Sequence, residues 1–186
     1  MNTLKLYGGA RSRASIVRWY LEEFAIPYEF VLLDMANGEH RKPEFLALNP
    51  FGKVPTIVDG DLSLWESGAI LLYLAEKHGQ LPAELDRRAI YTQWILFANS
   101  TLSNGLFLEA TRERETPLLL APIDRILGEH SFIMGDEFTV VDVAIGSILA
   151  YAVLMAKLDY SPYPNLAAYL QRLRERPAFV KSIGSP

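Results

Sequence analysis

The chain has 186 residues, half of them hydrophobic, and a formal net charge of −4. That is enough apolar material for one compact unit or two small ones, and the acidic balance gives no basic field for nucleic acid. Cysteine is absent, which removes disulfides, thiolate zinc sites, a cysteine nucleophile and dithiol redox motifs. His40, His78 and His130 are too dispersed to suggest a metal motif, so no metal is expected. No apolar run is long enough to span a membrane. The opening MNTLKLYGG lacks the basic and apolar regions of a signal peptide, so a cytoplasmic protein is expected.

In chain order, Leu4 to Tyr7 alternates as a short strand that stops at Gly8-Gly9. The spacing of Val17, Leu21 and Phe24 predicts a helix from Ser12 or Arg13 to Phe24, broken by Ala25-Ile26-Pro27. Tyr28 to Leu33 reads as a second strand, completing a βαβ unit with parallel pairing. After the polar stretch Asn37 to Pro43, a short helical turn is expected around Glu44 to Leu48. Thr56 to Val58 and Leu62 to Trp65 form a hairpin through Asp59-Gly60-Asp61. Ser67 to Lys77 is a helix with Ile70, Leu71 and Leu74 inward and Gly79 as its stop.

From Leu81 the signals are helical throughout. Tyr91, Trp94, Ile95, Ala98 and Leu102 mark one long helix, and Pro117 to Gly128 a second, with Pro117 suited to a first turn. Thr139 and Asp142 have the spacing of a capping box opening an apolar helix that runs to about Met155. That helix is apolar nearly all round and belongs in the centre of a bundle. Asn165 to Arg174 is a last amphipathic helix. The expected organisation is therefore residues 1–77 as an α/β unit with a mixed four-stranded sheet, a linker over 78–86, and an all-helical unit over 87–186.

The most informative stretch is NPFGKVPTIVDGDLSLWESGAILLYLAEKHG, Asn49 to Gly79. Proline where a buried strand should begin forfeits a ladder hydrogen bond. Val54-Pro55 is either a cis bond that frees backbone groups for a peptide-like ligand or an ordinary trans proline at a sheet edge. Glu66-Ser67 sets an acid and a hydroxyl at the mouth of a helix, where free N–H groups favour anions.

This ordered set resembles the cytosolic glutathione transferases over the whole chain. GEHRKPEFLALNPFGKVPTIVDGDLSLWESGAILLYLAEK carries the likeness most strongly. LYGGARSRASIVRWYLEEFAIPYE and the Thr139/Asp142 box carry it more loosely. The GGARSRAS turn looks most like Ser-type bacterial members, the small cyanobacterial chi type among them. The resemblance implies a thioredoxin-like domain followed by an all-helical one, glutathione as co-substrate, and a homodimer. It implies that Val54, with Pro55 in cis, pairs with the cysteinyl part, and that Glu66 and Ser67 hold the γ-glutamyl end. Lys53, with His40 and Arg41, would hold the glycyl carboxylate; a solvated basic loop is the plain alternative for the last two.

The thiol-activating donor is expected just after the first strand. Ser12 is the first choice and Tyr7 the competitor, with Arg11 and Arg13 raising the local positive potential. Asn104, Phe107, Leu108 and Arg112 are the candidates for an electrophile site between the domains, Phe107 and Leu108 equally readable as core. The implied activity is conjugation of glutathione to small electrophiles such as isothiocyanates or halonitroarenes, in detoxification. The alternatives are a non-catalytic binding or adaptor protein of this fold and a glutathione-dependent peroxidase. The full set Lys53, Val54, Pro55, Glu66 and Ser67 argues against the adaptor.

Overall fold

The computed structural model describes residues 3–184. The first half is built on a sheet of strands β1 (Leu4–Gly8), β2 (Tyr28–Leu32), β3 (Thr56–Asp59) and β4 (Leu62–Trp65), in the order β2-β1-β3-β4. β1 and β2 pair in parallel, Leu6 opposite Phe30, across the crossover helix α1 (Ala14–Glu23). β1 pairs antiparallel with β3, Leu6 opposite Ile57, and β3 with β4, Ile57 opposite Leu64. Leu6 and Ile57 are fully buried in the middle strands. A 3-10 turn (Glu39–Arg41) and the short helix α2 (Pro43–Leu46) precede β3. Helix α3 (Ser67–Lys77) follows β4 and buries Ile70, Leu71 and Leu74, as its spacing predicts.

The second half is helical. α4 (Leu85–Phe97) runs through a π-turn (Ala98–Leu102) into α5 (Ser103–Phe107), so the expected long helix is widened by one turn partway along. α6 spans Glu109–Glu129, which corrects the expected helix start at Pro117 and its reading as a first-turn residue. Pro117 and Pro122 lie inside α6. Both sit at exposed positions, and the carbonyl orphaned by Pro117, that of Glu113, is on an exposed residue that water can satisfy. α8 (Pro164–Arg174) is followed by α9 (Pro177–Ser182), a helix absent from the sequence reading, with Pro177 at its first position.

Helix α7 (Val140–Ala156) is the centre. Val140, Val141, Val143, Ile145, Leu149 and Ala152 are buried, and α7 packs against α1, α3, α4, α5 and α8. Burying each large aliphatic side chain contributes about 1.5–3 kcal/mol. Its start is the predicted capping box: the Val141 N–H donates to Thr139 Oγ1 at 3.2 Å, and the Thr139 N–H to Asp142 Oδ2 at 2.8 Å. Asp142 does more than cap. Its other oxygen accepts from the Ile133 N–H and the Tyr169 hydroxyl, both at 3.0 Å, tying α7 to α8 and to the turn before it.

α9 folds back onto α1. Phe179 meets the fully buried Trp19 edge-on at 4.9 Å between ring centres, and Glu23 accepts from Arg176 and from the Trp19 indole N–H. At the other end of the sheet, Asp59 on β3 accepts from Lys77 and, at 2.8 Å, from the Tyr73 hydroxyl on α3. The Lys77 ammonium, helped by that hydroxyl and opposed by partial burial, holds the Asp59 carboxyl below the usual range. A carboxyl depressed in the folded state contributes stability above its unfolded pKa, and that contribution is lost as pH falls through the folded value. Asp59→Asn is therefore expected to flatten the decline in stability below about pH 4, read by chemical denaturation from neutral pH downward. An unchanged acid limb would show that this carboxyl carries no linkage.

Candidate active site

One groove gathers Lys53, Val54, Pro55, Glu66 and Ser67 of the sequence-predicted residues, with Arg13 beside them. Its cavity, about 350 Å³, is lined by Arg13, Asn49, Phe51, Lys53, Val54, Pro55, Trp65, Glu66 and Ser67, a size within the range of small-molecule sites. Val54-Pro55 is cis. The β3 register starts at Thr56, so the backbone N–H and C=O of Val54 are not committed to the sheet. The turn ahead of it is organised by Asn49, which is nearly fully buried. Its amide nitrogen donates to the Lys53 carbonyl (2.8 Å) and Thr56 Oγ1 (3.2 Å), and its oxygen accepts from the Phe51 N–H (3.0 Å). Phe51 stands at the rim, 56% exposed, edge-on to Trp65 at 5.0 Å.

Glu66 and Ser67 form the opposite wall. The first bond of α3 runs from the Ile70 N–H to the Glu66 carbonyl at 2.9 Å, which leaves the preceding N–H groups without helical partners, an anion-binding end. Glu66 is exposed and has φ +71°, ψ 117°, a backbone region that a side chain with a Cβ adopts only under strain. Ser67 is buried and donates to Asn99 Oδ1 at 2.9 Å.

His40 and Arg41 do not line the cavity; they lie behind Gly52. A Cβ on Gly52, whose φ is +59°, would stand 2.7 Å from the His40 carbonyl oxygen. Arg41 Nη1 donates to the Phe51 carbonyl at 3.4 Å, and His40 Nδ1 is buried without a partner. The basic loop therefore backs the Lys53 end of the groove.

The three candidate activating groups separate. Tyr7 turns its ring onto Phe45 of α2, 5.8 Å between centres, and is not in the groove. Arg11 is exposed. Ser12 closes its own turn: its hydroxyl accepts from the N–H groups of Gly9 (3.1 Å) and Ala14 (3.3 Å) and donates to the Gly9 carbonyl (3.1 Å). It sits one residue from the groove, and its neighbour Arg13 enters it. Arg13 Nη2 donates to Asn99 Oδ1, while its Nε is buried without a partner. Burial lowers the pKa of this guanidinium from its ordinary value, partly offset by the charge of Glu66.

The four electrophile-site candidates are elsewhere than the groove. Arg112 spends its guanidinium on the end of α5, Nε to the Leu106 carbonyl (2.8 Å) and Nη2 to that of Phe107 (3.2 Å). Asn104 and Leu108 are exposed, and Phe107 packs against the core. Sequence reasoning did not single out Asn49, Phe51, Trp65 or Asn99 as site residues. The run Asn-Pro-Phe-Gly signals a turn, but nothing local marks Asn99.

The fold and groove define a thioredoxin-like sheet domain joined to a helical one, with a peptide-sized cleft beside the cis proline. The N-terminal domain model of glutathione S-transferase matches residues 2–76, and its C-terminal domain model residues 118–172. Glutathione S-transferase GstB of Escherichia coli strain K12 is 38% identical, over 89% of this chain and 90% of that protein. PARB of Nicotiana tabacum, also a glutathione S-transferase, is 31% identical over 97% of each. Among solved structures, the theta class enzyme of Xanthomonas axonopodis pv. citri, with glutathione bound, superposes with a TM-score of 0.84 at 29% identity. It covers 100% of this chain and 99% of that one. A Burkholderia graminis glutathione transferase with two glutathione molecules per subunit gives 0.83 at 28%, covering 99% and 88%. The chain belongs to the glutathione S-transferase family.

The positive φ at Glu66 has a measurable consequence. Glu66→Gly is expected to be more stable than Glu66→Ala by about 1 kcal/mol, since both lose the carboxylate and only glycine relieves the backbone. Denaturant unfolding checks this; equal midpoints would show an unstrained turn.

Proposed function

We propose that this chain binds reduced glutathione in the groove beside Val54-Pro55 and transfers its thiolate to a small electrophile. The observation that carries the reading is the convergence, in one cavity, of an uncommitted strand edge at Val54, the open N-terminus of α3, and the cation of Arg13. In this reading the cysteinyl backbone pairs with Val54 as a further strand would. The backbone N–H of Ser67 and those that follow it at the start of α3 receive the γ-glutamyl carboxylate, the Ser67 hydroxyl staying on Asn99, and Glu66 receives its ammonium. Lys53 holds the glycyl carboxylate, with His40 and Arg41 adding positive charge from behind.

The chain has no cysteine, so the only thiol in the proposed reaction is glutathione's. A free thiol of pKa about 8.5 is only about 3% thiolate at pH 7. Lowering it by two units needs about 2.7 kcal/mol of preference for the anion. Ser12, the N-terminal end of α1 and Arg13 supply that preference in this proposal. The Ser12 hydroxyl, already accepting two N–H bonds, is polarised as a donor, and its O–H can turn from the Gly9 carbonyl to donate a hydrogen bond to the thiolate, keeping its proton. The Arg13 guanidinium, in the wall of the groove, adds positive charge beside the sulfur. The thiolate then forms a C–S bond with displacement of halide from a halonitroarene, or adds to the central carbon of an isothiocyanate whose nitrogen takes up the proton. Asn104, Phe107, Leu108 and Arg112 remain the proposed electrophile contacts. A Ser-type bacterial enzyme of chi-like character and a cytoplasmic location fit the GGARSRAS turn and the chain's composition. Among the described residues, no helix is long and apolar enough to cross a membrane.

Calorimetry with reduced glutathione, followed by spectrophotometric conjugation of a halonitroarene and an isothiocyanate, tests this. Ser12→Ala and Arg13→Ala are each expected to lower kcat/KM at pH 6.5 by about tenfold to a hundredfold, while Tyr7→Phe retains activity. No heat on adding millimolar glutathione would sink the reading.

A homodimer is part of the proposal. The face shared by α3 and α4 carries a broad apolar hollow lined by Leu72, Leu81, Leu85, Leu96 and Phe97, with Leu85 75% exposed. A second copy covering it would remove this surface from water. Sedimentation at micromolar concentration is expected to give twice the monomer mass, and Leu96→Glu to return it to one; a monomeric wild type would overturn it.

A further inference from the structure

Asn99 lies on the helical half, yet its side chain is spent on the sheet half. Its Oδ1 accepts from two donors that come from separate elements there: Arg13 Nη2 at the start of α1 and Ser67 Oγ at the start of α3, the latter at 2.9 Å. These donors are 86 and 32 residues away along the chain. Both line the groove. The opposite end of the carboxamide is fixed as well, with Nδ2 donating to the Ile95 carbonyl at 2.9 Å. Oxygen toward two donors and nitrogen toward a carbonyl is the one orientation in which every partner is satisfied.

The helix is shaped for this. Asn99 is in the π-turn, the kind of widening that recurs at functional sites. The next residue also bonds back, Ser100 Oγ donating to the Leu96 carbonyl at 2.7 Å, so two consecutive side chains support the widened turn. On the facing helix, position 68 is glycine. A Cβ there would stand 2.9 Å from Asn99 Nδ2 and 3.2 Å from Ile95 Cγ2, so the Asn99 carboxamide would have to shift to make room. The close approach of α3 to α4 and the shared acceptor are therefore two sides of one arrangement.

We propose that Asn99 is a positioning residue for thiol activation. By holding Arg13 and Ser67 on a single oxygen, it fixes the guanidinium relative to the γ-glutamyl end of the groove and makes the helical half a determinant of sulfur reactivity. Arg13 is long and bears a rotamer-rich side chain. With Nη2 tethered, the guanidinium keeps one position in the groove wall; without the tether, the cation relaxes toward Glu66, whose charge already acts on it. Asn99 touches no substrate in this scheme. The inference rests on the glutathione reading of the groove.

The test is the pH profile of kcat/KM for conjugation by the full chain, together with the ultraviolet thiolate absorbance of bound glutathione. Asn99→Ala is expected to move the ionisation of the bound thiol upward by about one unit, a roughly tenfold loss of rate at pH 6.5 that shrinks at alkaline pH. Gly68→Ala is expected to shift it in the same direction by displacing Asn99. In Arg13→Ala, adding Asn99→Ala is expected to cause little further shift, because the tether then has nothing to hold. A purely structural role for Asn99 would lower stability without moving the profile, and that result overturns the proposal, as does a full further shift in the double variant. A wild-type groove that binds no glutathione would instead overturn the reading beneath it, a failure that calorimetry registers before any variant is made.

Discussion

The constraint on which this molecule depends is the apolar circumference of α7. From Val140 to Ala152 the helix has valine, isoleucine, leucine and alanine on every side and no face to give to water, so this part must be enclosed, and only its last turn, with Leu154 and Met155, is exposed. Here the enclosure uses α4, α5 and α8 from the helical half and α1 and α3 from the sheet half. The two halves are thereby fused along one seam rather than joined by a linker alone. The groove opens along that seam, since α1 and α3 are the helices whose N-termini form its wall. Asp142 sets where α7 begins and ties that end to α8 and to the turn before it.

The chemistry of the groove follows from backbone as much as from side chains. The chain stops pairing at Thr56, which leaves Val54 beside a cleft, and α3 starts with N–H groups that its own helix cannot satisfy. A peptide with an anionic end can use both without any conformational change in the protein. Because the chain lacks cysteine, reactivity in the proposed reaction has to be conferred on a borrowed thiol by hydrogen-bond donors and positive charge. In that proposal Arg13, half-buried in the groove wall, supplies the positive charge beside the Ser12 hydroxyl. The Arg13–Asn99–Ser67 cluster shows how such a cation is kept in place: by an acceptor that belongs to the other half of the molecule.

Much of this was legible beforehand. Alternation located β1, the Asp59-Gly60-Asp61 hairpin located β3 and β4, the 3.6-residue period located α1, α3, α4 and α8, and Thr139 with Asp142 marked the start of α7. Pro55 in cis was one of two open alternatives, and Glu66-Ser67 at a helix mouth was read from residue type and position. Where the reading failed, a local rule met a tertiary exception. Pro117 marks a helix start in most contexts, yet in α6 it is interior, because the bond it forfeits lies on the water side. α9 was missed because Arg-Pro after an amphipathic helix reads as a terminus, whereas Phe179 has Trp19 to pack against.

The amino-acid sequence alone determined the order of elements, the faces they bury, the α7 cap and the strand-edge and helix-end parts of the groove. All of these depend on residues within a few positions of one another. Only the tertiary structure decided that Arg13 enters the groove while Arg11 stays in solvent and Tyr7 turns to Phe45. It also decided that Asn99 reaches across the seam. Those outcomes depend on the rotation of α1 about its axis, on a single π-turn and on the closeness Gly68 permits, which are set by packing between segments far apart in the chain and leave no periodic trace within any of them.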